Sequence, residues 1–137
     1  MVYSNLYARF YSFCQEIRTA GAALWRFAPS RFYLGLAALF QVVLWLQAVF
    51  IYKHLSGELL VLHYNIDFGI DLVGAPWHIF FYPLYALGIL ALNWIMVAAL
   101  HRRQYFRLFA NILLAAAELF SLFISLALMF IYLINFR

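Results

Sequence analysis

Charged residues are scarce in this chain, and their scarcity decides the class of protein. Only 10% of the 137 residues are Asp, Glu, Lys or Arg, whereas a soluble domain carries about 25%. Hydrophobic residues make up 69% of the chain. A folded chain with so few charges cannot cover a water-facing surface, so the composition excludes an ordinary soluble globular protein.

Cysteine and the common catalytic motifs are also lacking. The only cysteine is Cys14, which excludes an intrachain disulfide and a zinc site built from several cysteines. The sequence has no glycine-rich phosphate loop, nucleophile elbow or His-Glu zinc signature. We therefore expect a protein that is not an enzyme and that binds no cofactor and no metal. The net charge of +4 comes mainly from arginines near predicted membrane ends, so we expect no nucleic-acid partner.

Three long apolar segments dominate what is present. They comprise residues 33–53, 78–100 and 108–136. A hydrocarbon core about 30 Å thick needs about 20 apolar residues in a helix, because only a helix satisfies its own backbone in lipid. The sequence therefore predicts an all-α integral membrane protein with three transmembrane helices. We expect a single membrane domain over residues 1–137, with a cytoplasmic turn at residues 101–107.

Residues 1–28 show the periodicity of an amphipathic helix. The apolar positions recur at spacings of three, four and seven: Tyr3, Leu6, Phe10, Phe13, Ile17 and Leu24. The opposite side carries polar residues: Asn5, Arg9, Ser12, Glu16 and Thr19. We predict an interfacial helix whose apolar face lies among lipid headgroups. The alternative is a helix packed on the inner ends of the spans or on a partner protein.

The distribution of arginine predicts the orientation in the membrane. Four arginines precede the first span and three lie near the 101–107 turn: Arg9, Arg18, Arg26, Arg31, Arg102, Arg103 and Arg107. The segment 54–77 has no Lys or Arg and carries three carboxylates, Glu58, Asp67 and Asp71. The positive-inside rule places the N-terminus in the cytoplasm and the 54–77 loop and the C-terminus outside.

The outer loop, residues 54–77, has the composition of an ordered segment. Residues 59–66 are rich enough in β-branched and aromatic side chains to form a strand, and residues 70–73 can form a short return strand. Gly69 and Gly74 provide bends at the ends of that return. We predict a short β-hairpin that caps the outer ends of the helices.

This loop carries a resemblance to a known family. The run Val61-Leu62-His63-Tyr64-Asn65, followed by Gly69, Asp71 and Pro83, resembles the N-terminal module of the SdpI-type immunity family. Residues 62–74 are similar to a stretch found in short bacterial membrane proteins without an assigned activity. The family module begins with proline where this chain has Val61. The resemblance implies a membrane protein with a structured outer loop, and we expect it in the inner (plasma) membrane of a bacterium.

The polar residues of the loop are candidates for recognition or for structure: His63, Tyr64, Asn65, Asp67 and Asp71. Short polar side chains bond to backbone amides in turns, and His63 on a strand can hydrogen-bond a neighbour such as Asp71. Imidazoles and carboxylates on this side could also bind a divalent cation or an outside ligand. Their spacing matches no closed metal signature, so we expect hydrogen bonding rather than metal binding.

Glu118 is the most unusual residue within the spans. It lies ten positions beyond Leu108, about 15 Å into the bilayer by helical rise. A carboxylate at that depth is costly unless it is protonated or paired. Gln41 and Asn93 lie at comparable depth on the other two spans. We hypothesise a buried Gln41–Asn93–Glu118 cluster that joins the helices, with Glu118 largely protonated; a proton or ion relay and an oligomer contact are the alternatives.

These observations favour a small non-enzymatic membrane protein that acts as a structural or interaction subunit of a membrane assembly. Its expected partners are the lipid bilayer and either another membrane protein or further copies of the chain. One alternative is an immunity-type or sensor protein that recognises a ligand or peptide with the outer loop. A third is an oligomeric transporter or channel that uses Glu118.

Overall fold

The computed structural model describes residues 2–55, 59–65, 67 and 69–136. Within its helices and strands, the side chains of residues 2–6, 13, 64 and 65 lie outside that description. The helices are α1 (Val2–Arg26), α2 (Ala28–His54), α3 (Phe81–Ala99) and α4 (Phe106–Asn135). The strands are β1 (Leu60–Asn65) and β2 (Gly69–Gly74), and a 3₁₀ helix, Pro76–Phe80, leads into α3.

Three helical segments are long and apolar enough to cross a membrane, as predicted: Ala28–His54, Pro76–Ala99 and Phe106–Asn135. The chain is therefore a multi-pass membrane protein. The first of these helices begins at Ala28 rather than at residue 33, because the chain needs only one extended residue, Phe27, to leave α1. Pro29 occupies the first turn of α2, where its missing N–H would be unpaired in any case.

Ser30 stabilises the corner between α1 and α2. Its side chain is buried, and its hydroxyl donates to the carbonyl oxygen of Phe27 at 2.7 Å and to that of Leu24. The carbonyl groups at the end of a helix have no partner within the helix. Ser30 therefore bonds both to the last turn of α1 and to the connecting residue Phe27, and it fixes the direction in which α2 departs.

The three spanning helices form a bundle in which α4 packs along both α2 and α3. The core has three levels. One contains Leu24, Val97, Ala110 and Leu114, the middle one contains Ala37, Leu90 and Ala117, and the third contains residues from the bundle and the hairpin, such as Leu44, Leu60, Ile79 and Leu128. The order of these residues shows that α2 and α4 run in the same direction and α3 in the opposite one. We call the first level the arginine end and the third the hairpin end.

A two-stranded antiparallel hairpin covers the hairpin end, which confirms the predicted cap. Gly69, at φ 78°, provides the left-handed conformation where the chain turns into β2. Alternate residues of β1, Leu60 and Leu62, are buried against the bundle. The Tyr82 hydroxyl donates to the carbonyl oxygen of Leu62 at 3.1 Å, so α3 also holds the strand.

Gly74 is the point where the hairpin passes closest to the 3₁₀ helix. A Cβ atom there would lie 2.5 Å from Nδ1 of His78 and 2.8 Å from Cδ1 of the buried Leu62. We predict that Gly74→Ala destabilises the folded protein by about 1–3 kcal/mol, because the side chains of His78 and Leu62 must move to make room for the added Cβ atom. Thermal unfolding in detergent, followed by circular dichroism, measures this change.

The matched control is Gly35→Ala on α2, where nothing lies within 4 Å of the added Cβ atom. There we expect a stabilisation of about 0.5–1 kcal/mol, because alanine is the better helix former. Equal effects of the two substitutions would contradict a close approach at Gly74.

Candidate functional site

The hairpin carries an exposed ion-pair contact between His63 on β1 and Asp71 on β2. Nδ1 of His63 is 2.6 Å from Oδ1 of Asp71, and 60% and 41% of the two side chains are exposed. The predicted hydrogen bond is therefore confirmed. The register of the strands shifts on both sides of His63, which pairs with Leu72. This irregularity lets side chains from non-opposed positions meet on one side of the hairpin.

The other three loop candidates surround the turn between the strands. The backbone of Tyr64 pairs with Ile70 and that of Asn65 with Gly69, while their side chains lie outside the described residues. Asp67 is exposed in the turn. Among the described residues, no group of three or more His, Cys, Asp or Glu side chains is arranged to hold a metal ion. What the structure brings together is the His63–Asp71 pair.

Asn135, at the end of α4, holds the hairpin to the bundle. Its Oδ1 accepts from the backbone N–H of Val61 at 3.0 Å, and its Nδ2 donates to the carbonyl oxygen of Val61 at 2.9 Å. The same Nδ2 donates to the carbonyl of Ile131 at 2.8 Å. Asn135 thus bonds to the edge of β1 that faces away from β2, where a further strand would otherwise pair with the backbone of Val61. Sequence reasoning missed this contact; the signal was an amide residue at the end of an otherwise apolar span.

An open groove of about 410 Å³ lies beside the hairpin, where α2 ends and the 3₁₀ helix begins. Its lining combines one cation with two aromatic rings: Tyr52, Lys53, Leu55, Pro76 and Trp77. Trp77 is about half exposed and packs against the rings of His78 and Phe81. Rings with an apolar body and a polar tip are favoured where hydrocarbon meets water. The groove therefore lies at the expected depth of the membrane surface.

The second predicted site lies inside the bundle, where Gln41 and Glu118 both hold buried polar atoms. Glu118 is 5% exposed, and neither of its carboxyl oxygens has a hydrogen-bond partner among the described residues. Both polar atoms of the Gln41 side chain are also buried and without such a partner. Unpaired buried polar groups destabilise a fold, and they mark places that require an explanation.

Asn93 is not part of this group, which corrects the three-residue cluster. Its Nδ2 donates to the carbonyl oxygen of Ile89 on its own helix at 2.9 Å. Asn93 lies three residues beyond Leu90 towards the arginine end, whereas Gln41 lies four residues beyond Ala37 towards the hairpin end. Because Leu90 and Ala37 share a level, the two amides are separated by about 10 Å along the bundle axis. The sequence analysis placed Gln41 and Asn93 at comparable depth by counting residues from the predicted ends of the spans, and this count did not detect their separation along the axis.

A polar contact between α2 and α4 lies nearer the hairpin end. The Ser125 hydroxyl donates to Oε1 of Gln47 at 3.0 Å. Such bonds between spans stabilise helix packing in lipid, by about 0.6–2 kcal/mol each. Sequence reasoning did not identify this contact between Ser125 and Gln47. The signal that could have found it is the pair of glutamines, Gln41 and Gln47, in an otherwise apolar helix.

The arginine end presents an uncovered helix. Only Ala20 and Leu24 of the described α1 side chains are buried, whereas Tyr7 is 79% and Phe10 66% exposed. One ion pair, from Nη2 of Arg102 to Oε1 of Glu16 at 3.7 Å, also joins α1 to the bundle. It contributes little to stability because both side chains are exposed. Most of α1 therefore extends away from the bundle.

We predict that Asn135→Ala loosens the hairpin without unfolding the bundle. The substitution leaves the N–H and C=O groups of Val61 without their partner, a loss of about 1–3 kcal/mol in hairpin docking. Amide hydrogen exchange of the hairpin, measured by mass spectrometry in nanodiscs, should become faster. Asn93→Ala is the control, because that side chain bonds only within its own helix. Unchanged exchange in Asn135→Ala would show that the leucine contacts and the Tyr82 hydrogen bond hold the hairpin without Asn135.

Comparison of the chain with protein-family models, curated proteins and solved structures returns no match. The resemblance of residues 61–83 to the immunity module therefore stays a prediction. Three features of the molecule are candidates for function: the exposed α1, the hairpin with its His63–Asp71 pair, and the buried polar groups of Gln41 and Glu118.

Proposed function

We propose that this protein is a non-enzymatic subunit of a membrane assembly, and that α1 is the arm with which it binds a second membrane protein. We place it in the inner membrane of a bacterium, with α1 in the cytoplasm and the hairpin outside. The concentration of arginine at the α1 end and its absence from the 54–77 loop support this orientation.

The observation that carries the proposal is the uncovered apolar face of α1. The helix has 25 residues and is about 37 Å long, and its described contacts with the bundle lie at Glu16, Ala20 and Leu24. The apolar face continues beyond them through exposed aromatic and aliphatic residues such as Tyr7, Phe10 and Ile17. An apolar surface of this size requires a cover, which is lipid or protein.

The composition of α1 favours a protein partner. Protein interfaces are enriched in Tyr, Phe, Trp and Arg and depleted of Lys, Glu and Asp. Residues 2–26 contain aromatic residues, three arginines, one glutamate and no lysine or aspartate. Helices that lie among headgroups usually have a strongly charged polar face, whereas this one also carries neutral residues such as Ser12 and Thr19.

The charge of the arginine end identifies the chemistry of the partner. Exposed arginines surround the base of α1, and the one described acid of this helix, Glu16, is already paired with Arg102. A second copy of the chain would present the same cationic surface and repel the first. The complementary partner is therefore a membrane protein with an apolar patch and an acidic rim on its cytoplasmic side.

Charge substitutions on opposite faces of α1 test this function. We expect the double variant Phe10→Glu and Ile17→Glu to lose its partner, because two carboxylates then occupy the apolar face. The double variant Ser12→Glu and Thr19→Glu adds the same charge to the polar face and should weaken binding much less, because only the attraction to the acidic rim is reduced while the apolar face stays intact. The measurement is stoichiometric co-purification in mild detergent from native membranes, with mass identification of each component.

Retention of the partner by both variants would contradict the role of α1. Purification of the intact protein as a free monomer, with α1 protected by lipid alone in nanodiscs, would overturn the subunit function itself. Circular dichroism of each variant shows whether the bundle is still folded, so loss of folding is distinguishable from loss of binding.

The hairpin favours a second candidate function, recognition of an outside peptide or ligand. Ile70, Leu72 and Val73 on β2 are exposed, and the edge of β2 opposite β1 is uncovered within the described residues. An exposed strand edge can bind an extended peptide by adding a strand, and neighbouring side chains then select the sequence. The exposed His63–Asp71 pair is the polar group beside that edge. The resemblance to the SdpI-type immunity module is consistent with this role.

A protection assay tests the second candidate. Cells that express the protein should survive a membrane-active peptide, and His63→Ala should remove the protection while the protein stays folded. His54→Ala is the matched control, because the described contacts of the exposed His54, a hydrogen bond to the carbonyl oxygen of Phe50 and packing on its ring, lie within its own helix. Equal protection by both variants would exclude recognition by the His63–Asp71 pair.

A further inference from the structure

Glu118 and Gln41 lie in the same stretch of the α2–α4 interface. On α2, Gln41 is located between Ala37, which packs in a cluster with Ala117, and Gln47, which accepts from Ser125. On α4, Glu118 is located between Ala117 and Ser125. The two Cα positions therefore differ by only about 4–5 Å along the bundle axis, a distance that these long side chains can bridge.

The face of α4 that carries Glu118 is the one turned towards α2. Glu118 precedes Ser125 by seven residues, two helical turns, so the two side chains project from the same face. The Ser125 hydroxyl bonds to a residue of α2. On α2, Gln41 shares its face with the buried Ala37, Leu44 and Ala48. The buried carboxyl and the buried carboxamide thus belong to one interface.

No positive charge is available to pair with Glu118. The α2 sequence contains no Asp, Glu, Lys, Arg or His between Arg31 and Lys53, and α3 contains none from Phe81 to Ala99. The other charged residue of α4, Arg107, precedes Glu118 by eleven residues, about 16 Å of helix. The remaining titratable groups of these helices lie towards their ends: Arg31, Tyr33, Tyr52, Lys53, His54, Tyr82, Tyr85 and Tyr132. An ionised Glu118 would therefore be an uncompensated charge in the apolar interior.

We propose that Glu118 and Gln41 form a proton-binding site in the centre of the bundle. In the bound state the Glu118 carboxyl is neutral and its O–H faces Gln41, whose carboxamide can both accept and donate. Release transfers the proton from the carboxyl oxygen to water, and the remaining carboxylate must then be hydrated. Hydration of a group at this depth requires α2 and α4 to separate. Proton occupancy therefore controls how tightly these two helices pack.

This inference is independent of the proposed subunit function. It concerns the centre of the bundle, whereas the proposed partner binds α1 at the arginine end. Either one can fail while the other holds, and the measurements below require only the purified protein.

Infrared difference spectroscopy in nanodiscs tests the site directly. At about pH 6 a water-exposed glutamate is ionised, so we expect the band of a neutral carboxyl to persist there and to fade at higher pH. The band should be absent from Glu118→Gln and present in Glu16→Gln, whose glutamate is exposed on α1. Gln41→Leu should move the carbonyl frequency of this band, because a hydrogen-bonding neighbour is removed. Gln47→Leu, whose amide bonds to Ser125, should leave the frequency unchanged.

Stability as a function of pH tests the coupling to helix packing. A fold that favours the neutral carboxyl loses stability as the proton dissociates, so the melting temperature should fall as the pH rises. Glu118→Gln is permanently neutral and should lose this dependence, whereas Glu16→Gln should keep it. An ionised Glu118 at about pH 6 would overturn the proposal. So would a carboxyl band that follows the sodium concentration instead of pH, because the ligand would then be a metal cation.

Discussion

The absence of water from the hydrocarbon layer is the constraint on which this structure depends. Every backbone N–H and C=O in that layer needs a partner within the protein, so the chain crosses it only as helix. The β-hairpin lies at the end of the bundle, where one edge of β1 pairs with β2. Towards the bundle, the side chain of Asn135 bonds to both backbone groups of Val61. The same rule thus explains both the spans and the way their cap is attached.

Polar side chains within the spans follow this constraint in two ways. Some bond to their own helix, as Asn93 does to Ile89 and Ser121 to Ala117. Others bond between helices, as Ser125 does to Gln47. Gln41 and Glu118 do neither within the described residues, although both are buried. A carboxyl group that obeys the same rule has to be neutral, and the proton-binding site that we propose at Glu118 follows from this requirement.

Much of the fold follows from local sequence, and much of the site does not. Long apolar runs predict spans, and Gly69 between two β-rich runs predicts the hairpin, because both signals depend on neighbouring residues. The contact of Asn135 with Val61 joins positions 74 residues apart, and that of Ser125 with Gln47 joins positions 78 apart. Such contacts depend on the relative positions of the helices along the bundle axis, which neighbouring residues in the sequence do not determine. The relative position of α2 and α3 along this axis also puts Asn93 on a different level from Gln41 and separates it from the predicted cluster.

Helix α4 connects the three candidate functional features: the exposed α1, the hairpin, and the buried polar groups of Gln41 and Glu118. Near its start, Leu114 packs with Leu24 of α1; in its middle, Glu118 faces α2; and at its end, Asn135 holds β1. A change in the α2–α4 contact therefore acts on the helix that supports both the exposed arm and the outer hairpin. Small shifts of a packed helix are transmitted because interiors are dense and resist gradual deformation. The proton-binding site that we propose at Glu118 thus lies on a helix that contacts both ends of the molecule.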